Sequence, residues 1–175
     1  TIFNIMNTII FLVFLKFFSR LICKIVPGED LKMDFGPKYL DPRILKSPPL
    51  AIGSTKKELL RMAGIAREML EESMQVFLTG DLKKIKHIEQ MEELVDGLEK
   101  EINVYLAELS QHSLSKEQSK MVASLMSAAN DLERIGDHAE NIMQLGEVKA
   151  EERLPFSTVA LEEITGFYKQ VDKML

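Results

Sequence analysis

DLKKIKHIEQMEELVDGLEKEINVYLAEL, residues 81–109, is the stretch that decides the fold class. Its apolar residues recur every three or four positions, which is the period of one face of an α-helix. They are Ile85, Ile88, Met91, Val95, Leu98, Ile102, Leu106 and Leu109. Asp81 is a suitable N-cap. A helix this long with one continuous apolar face predicts partner helices that cover it.

Two further amphipathic segments flank this helix. In the upstream one, Thr55 and Glu58 have capping-box spacing, and the apolar positions run to a stop at Gly80. In the downstream one, Ser115 and Gln118 repeat that spacing, and the stripe continues to about Gly146. Because the joins are short, successive helices should be antiparallel. We therefore predict an all-α, antiparallel three-helix bundle over residues 54–147.

A fourth amphipathic helix is predicted beyond Pro155. Its apolar positions are Val159, Ile164, Phe167, Val171 and Met174, within residues 156–175. No glycine or proline ends this pattern, so we expect a truncated helix and a polypeptide that continues past both ends of the sequence.

The composition agrees with a helical protein. Of the 175 residues, 46% are hydrophobic and only 7% aromatic, and methionines (10) outnumber glycines (9). This balance suits helices packed on aliphatic side chains better than a β-sandwich. The single cysteine, Cys23, excludes an internal disulfide.

Charge divides the chain into two parts. Residues 1–50 carry a net charge of +3, and residues 51–175 carry −8. An acidic body offers no basic surface to a phosphate backbone, so the sequence disfavours nucleic-acid binding.

The first 25 residues indicate the end of a transmembrane segment. The run from Ile2 to Leu15 is almost entirely apolar, and Lys16, Arg20 and Lys24 follow it. Positive charges after the apolar run are the reverse of a secretory signal peptide, and they favour the cytoplasmic side of a cell membrane. We therefore expect residues from about 16 onward to be cytoplasmic. An amphipathic helix that is buried or lies on a surface is the alternative.

Residues 26–53 are predicted to be a linker. Five of the six prolines fall there: Pro27, Pro37, Pro42, Pro48 and Pro49. Since proline removes an amide donor and restricts the residue before it, we expect an extended connector in place of a long helix. Scattered apolar residues such as Leu40 and Leu45 indicate that this linker packs against another surface and is not a free tether.

Carboxylates are concentrated on two of the predicted helices. Glu92 and Asp96 lie one turn apart on the second helix, and Glu133 and Asp137 repeat this spacing on the third. The two pairs could converge on one metal ion, and oxygen ligands suit Mg²⁺, Ca²⁺, Mn²⁺ or iron. The alternative is a solvated acidic face. Neither His87 nor His138 follows a glutamate by three positions, which argues against a di-iron oxygenase site.

Catalytic motifs are missing from the sequence. There is no G-x-S-x-G, no Walker-type glycine loop and no paired Rossmann glycines. We therefore predict that the protein is not an enzyme. Metal-assisted phosphoryl hydrolysis would be an enzymatic alternative, but the sequence offers no recognisable general base for this reaction.

DLERIGDHAENI (131–142) and EQMEELVDGLEKEI (89–102) resemble the PhoU family of phosphate-signalling helical domains. The family's E-x-x-x-D pattern falls on Glu92 with Asp96 and on Glu133 with Asp137. The resemblance implies that these four residues are ligands of iron or zinc. Because oxygen ligands also suit manganese, we expect iron, zinc or manganese as the metal.

The beginning of the chain carries a second resemblance, to a membrane carrier. TIFNIMNTIIFLVF, PKYLDPRIL and PPLAIGSTKKELLRMA are similar to the last span and junction of bacterial sodium-dependent phosphate cotransporters that end in a PhoU-like domain. The resemblance implies a cytoplasmic regulatory domain fused to an inner-membrane phosphate carrier whose transport core lies upstream of Thr1.

Two functional hypotheses follow. In the first, the bundle senses phosphate status through a metal or a phosphate-signalling protein partner and biases the attached carrier. In the second, it is a structural cap that assembles several copies of the carrier, and its acids serve solubility.

Overall fold

The computed structural model describes residues 36–174, and this part of the chain is all-helical. Its four helices are α1 (Pro48–Thr79), α2 (Ile85–Leu109), α3 (Lys116–Glu151) and α4 (Thr158–Asp172). Single turns of 3-10 helix, Pro42–Ile44 and Leu82–Lys84, precede α1 and α2. Helices α1, α2 and α3 pack side by side, which confirms the predicted three-helix bundle.

The predicted transmembrane segment, residues 1–25, and residues 26–35 of the predicted linker lie outside the described residues. No helix within residues 36–174 is both long enough and apolar enough to cross a membrane.

Five methionines lie in the interior of the bundle. Each of the three helices contributes at least one buried thioether, and these are Met62, Met69 and Met74 on α1, Met91 on α2 and Met143 on α3. The predicted stripe of α2 is buried from Ile88 to Leu109. Because methionine is unbranched and flexible, it fills irregular gaps where three helices meet.

Helix α1 begins earlier than the sequence predicts. The linker was expected to reach residue 53, yet α1 starts at Pro48 after the N-cap Ser47. Pro48 and Pro49 occupy the first helical positions, where no amide donor is needed and a fixed φ favours the helix. The predicted capping box at Thr55 is therefore wrong. Thr55 is buried within α1, where its hydroxyl donates to Ala51 O.

Three other predicted helix signals are confirmed: the stop at Gly80, the cap at Asp81 and the capping box at Ser115. Gly80 ends α1 with φ of 72°, the left-handed conformation that glycine adopts without strain. The Asp81 side chain accepts from Lys83 N and caps the turn before α2. Ser115 and Gln118 form a complete capping box on α3. Helix α3 runs to Glu151, beyond the predicted end near Gly146.

Helix α4 packs against the bundle less fully than the other three helices. It has no buried residue among those described, although Tyr168 and Val171 contact the core. An ion pair joins Asp172 to Arg67 of α1, with 2.8 Å between Oδ1 and Nε. Both side chains are partly exposed, so this pair contributes little to stability.

Candidate functional site

Helices α2 and α3 bring six carboxylates to one side of the bundle. We call them the acidic seam: Glu92, Asp96 and Glu99 on α2, and Glu133, Asp137 and Glu140 on α3. The four residues predicted from the sequence all belong to it.

Close packing of the two helices produces the acidic seam. Gly136 is buried against Val95, and a Cβ atom on Gly136 would lie 3.3 Å from Val95 Cγ1. The residue after Val95 is Asp96, and the residue after Gly136 is Asp137. A small residue in α3 therefore lets the helices approach and sets their carboxylates side by side.

The electrostatics of Glu92 show that the seam is crowded with negative charge. Partial burial raises the pKa of Glu92 first, and the charges of Glu140, Asp96 and Asp137 raise it further. Charges from both helices thus act on one side chain. Burial and like charge both disfavour an ionised carboxylate.

Glu133 is in a similar environment. Partial burial is the main cause that raises its pKa, followed by the charges of Asp137, Glu99 and Asp96, while Arg134 opposes the shift. Partial burial and like charge from both helices therefore act together to disfavour the ionised form of Glu92 and Glu133.

Cationic groups at the seam are few and lie at its margin. Lys100 Nζ contacts Asp96 Oδ2 at 2.6 Å, but the side chain of Lys100 is two-thirds exposed. At one end of the seam the amide groups of Asn103 and Asn130 lie 3.0 Å apart. Asn103 also donates to Glu99 Oε1. The seam therefore presents carboxylate and amide oxygens, which hard cations prefer as ligands.

The predicted metal site is brought together by the fold but is not assembled as a coordination sphere. Within residues 36–174, no group of three or more His, Cys, Asp or Glu side chains is arranged to hold a metal ion. The carboxylates of the seam would have to change rotamer to share one cation. The ligand assignment of Glu92, Asp96, Glu133 and Asp137 therefore stays a prediction.

The sequence prediction missed Glu140 as a member of the seam. Glu140 follows Asp137 by three positions, which places it on the same side of α3. Its proximity to Glu92 requires the antiparallel pairing of α2 and α3, which spacing within one helix does not reveal.

His138, the residue after Asp137, lines an apolar cavity of about 430 Å³ between α1, α3 and α4.

Comparison with known families finds one similarity within the bundle. Residues 59–145 match the PhoU domain, a range that includes the whole acidic seam. This part of the bundle is therefore similar to the PhoU domain. The segment before Leu59, the C-terminal turns of α3 and all of α4 lie outside the match.

Curated relatives resemble almost the whole chain. "Putative inorganic phosphate export protein YjbB" of Escherichia coli (strain K12) is 26% identical over 172 residues, which cover 97% of this chain and 31% of the relative. The protein of the same name from Salmonella typhimurium (strain LT2) is 26% identical over 171 residues. The chain with the PhoU-like domain thus spans about a third of the length of these relatives. No solved structure shows significant similarity to the chain.

Proposed function

We propose that the PhoU-like domain regulates phosphate transport by a membrane carrier and acts by binding, without catalysis. The observation that carries this proposal is the match to the PhoU domain within a chain that resembles, over 97% of its length, a protein named for phosphate export. The sequence adds the apolar stretch at residues 2–15, which we interpret as the end of a span. The domain would then lie on the cytoplasmic side of the inner membrane.

The finer proposal concerns the carrier itself. We propose a sodium-dependent phosphate carrier, on the resemblance of residues 1–14, 37–45 and 48–63 to the last span and junction of such cotransporters. Sodium-driven phosphate flux in membrane vesicles that contain the full-length carrier tests this assignment. Flux that does not depend on a sodium gradient would contradict it.

Regulation would require the domain to favour one state of the carrier. A ligand shifts an equilibrium only by the difference between its affinities for the two states. The acidic seam offers such a ligand site, because a bound cation would offset the partial burial and the like-charge repulsion that together raise the pKa values of Glu92 and Glu133. We propose that the seam binds iron, zinc or manganese.

Cation binding can be tested on the full chain. We expect Mn²⁺ or Zn²⁺ to raise the melting temperature of the protein, since a ligand at one hundred times its Kd stabilises by about 2.7 kcal/mol. The double variant Glu92→Gln plus Asp137→Asn should lose this rise. The matched control is Glu101→Gln plus Asp131→Asn, which removes the same charge from exposed positions on α2 and α3 outside the seam.

Three outcomes decide the cation proposal. A rise that persists in the control and is lost in the seam variant supports a defined site. An equal loss in both variants would show only general attraction to an acidic surface. Elemental analysis that finds no metal, together with a melting temperature unaffected by cations, would reject the seam as a metal site.

A structural cap is the second candidate function, and exposed apolar side chains favour it. Leu60 on α1, Leu145 on α3 and Phe167 on α4 are each more than 60% exposed. If such residues join copies of the chain, the mass measured by light scattering should rise with concentration, and Leu60→Lys should reduce it. A mass of one chain at all concentrations would contradict assembly through these side chains.

A further inference from the structure

The segment that precedes α1 is bound to the bundle through a buried charge. We call residues 36–47 the strap. Glu58 on α1 is fully buried, and its Oε2 accepts from Lys38 N at 2.8 Å and from Tyr39 N at 2.7 Å. Its Oε1 accepts from Arg61 Nε at 2.7 Å. One carboxylate on α1 thus receives two successive amides of the strap.

Arg61 completes the connection. Its Nε contacts Glu58, and its Nη2 donates to Gly36 O at 2.7 Å. One planar guanidinium therefore bridges α1 and the strap, a geometry that the single ammonium of lysine cannot reproduce.

Two other contacts hold the strap further along. Tyr105 OH of α2 donates to Asp41 O at 3.1 Å. Leu45 is 3% exposed and belongs to the apolar core. The strap is therefore bound by α1 and α2 at several points, in contrast to a flexible tether.

The buried carboxylate makes the strap and the bundle depend on each other. Burying a charge is costly unless hydrogen bonds and an opposite charge compensate it. Here part of the compensation comes from backbone amides of the strap, and hydrogen bonds to an ionised group are stronger than neutral ones. When the strap leaves, Glu58 loses two of its three hydrogen-bond donors. An apolar residue at position 58 would fill the interior without this dependence.

We propose that Glu58 and Arg61 form a latch through which the helical body holds and releases the chain that leads to residues 1–35. In the released state the strap is detached while α1, α2 and α3 stay folded, a local opening with a lower free energy than global unfolding. This role rests on the proposed function, in which a change in the PhoU-like domain must reach the carrier. The other role for Glu58 is a local ion pair that only stabilises α1.

Hydrogen exchange of the full 175-residue chain, in detergent micelles, tests the latch. In Glu58→Gln one acceptor oxygen becomes an NH₂ group that cannot accept from the strap amides. We expect peptides that cover residues 36–45 to exchange roughly ten- to hundredfold faster, while peptides from α2 exchange at the wild-type rate. Glu68→Gln, an exposed position on the same helix, is the matched control and should change neither rate.

A second variant covers the case in which Glu58→Gln fails to fold. Arg61→Lys keeps the positive charge beside Glu58 but replaces two separately placed nitrogen donors with a single one, so the strap should again exchange faster than in the wild type. Wild-type exchange of the strap in the folded variants, or equal acceleration in the strap and in α2, would overturn the latch. No cation is added, so a failure of metal binding would reject the seam proposal and leave this result unaffected.

Discussion

Gly146 lies where α3 comes close to the backbone of α1. A Cβ atom there would lie 2.8 Å from both Cα and N of Phe77, and neither atom can rotate away as a side chain would. We expect Gly146→Ala to lower the free energy of unfolding by about 1–3 kcal/mol, because α3 must move away from α1. Urea denaturation measures this change.

Gly97→Ala is the matched control for that substitution. Gly97 is also helical, but nothing lies within 4 Å of a Cβ added there. Alanine should therefore stabilise α2 by about 0.5–1 kcal/mol through its higher helix propensity. If both substitutions had the same sign, the close approach of α1 and α3 at Gly146 would be refuted.

At the same scale, the sequence predicted the neighbours of a residue within its own helix and missed those from elsewhere in the chain. Glu92 and Asp96 are neighbours because they are one turn apart, and the structure places them so. Glu58 was predicted to serve the cap at Thr55, but its partners Lys38 and Tyr39 lie 20 and 19 positions upstream. No periodic pattern records a contact between a buried carboxylate and the amides of a proline-rich segment.

The N-terminal end of α3 was predictable from the sequence. Ser115 Oγ accepts from Gln118 N at 3.2 Å, and Gln118 Oε1 accepts from Ser115 N at 2.9 Å. Ser115→Ala removes one of these two bonds and should cost about 1 kcal/mol of stability. Thermal unfolding followed by circular dichroism measures the loss.

Ser124→Ala is the control for the cap. Ser124 is exposed in the interior of the same helix, where alanine is the better helix former. The melting temperature of the Ser124→Ala variant should stay the same as that of the wild type or rise slightly. A fall as large as that of Ser115→Ala would mean that the capping box contributes nothing specific.

The beginning of α1 shows where element prediction failed. Two prolines in succession indicated a linker, since proline is excluded from the interior of a helix. The same residues are compatible with the first turn, where the first amides lack helical partners in any case. The density of prolines therefore located the helix boundary but placed residues 48–53 on its wrong side.

The response of the whole domain to pH follows from charges of two kinds. Burial and neighbouring carboxylates hold the pKa values of Glu92 and Glu133 above the ordinary value for glutamate. For Glu72, burial acts to raise the pKa, but hydrogen bonds from Lys84 and His87 lower it below the ordinary value. A group whose pKa is raised in the folded protein contributes to the free energy of unfolding at low pH, and this contribution is lost as pH rises through the folded pKa. A group whose pKa is lowered contributes at higher pH, and its contribution is lost as pH falls through the folded pKa.

We therefore expect the free energy of unfolding to rise on mild acidification from pH 7 towards the ordinary pKa of glutamate. It should then fall at lower pH, as Glu72 becomes protonated. Glu92→Gln should stabilise the protein at pH 7 by a few tenths of a kcal/mol, because it removes a carboxylate that is partly buried and repelled by its neighbours, and should weaken the rise. Urea titrations over a pH series measure both effects. An unchanged pH profile in Glu92→Gln, matching that of Glu101→Gln, would contradict the crowding of the seam.

At the scale of the whole molecule, the fold class and the order of the helices were predictable because apolar period and caps are local signals. The pairing of Glu92 with Glu140 depends on which faces of α2 and α3 meet, and only the packed bundle decides this. The metal remains a prediction for a similar reason. Two acidic pairs indicate which side chains share a surface but not whether their oxygens converge.

The buried methionines of the bundle can record whether its helices have separated, because their oxidation requires contact with the oxidant. Met62, Met69 and Met91 are fully enclosed, while Met121 and Met174 face solvent. Peroxide converts an accessible methionine to a polar sulfoxide, which an apolar interior does not readily accept back. Oxygen added at Met121 therefore reports only exposure to the oxidant, whereas oxygen added at Met69 marks a molecule whose helices had separated.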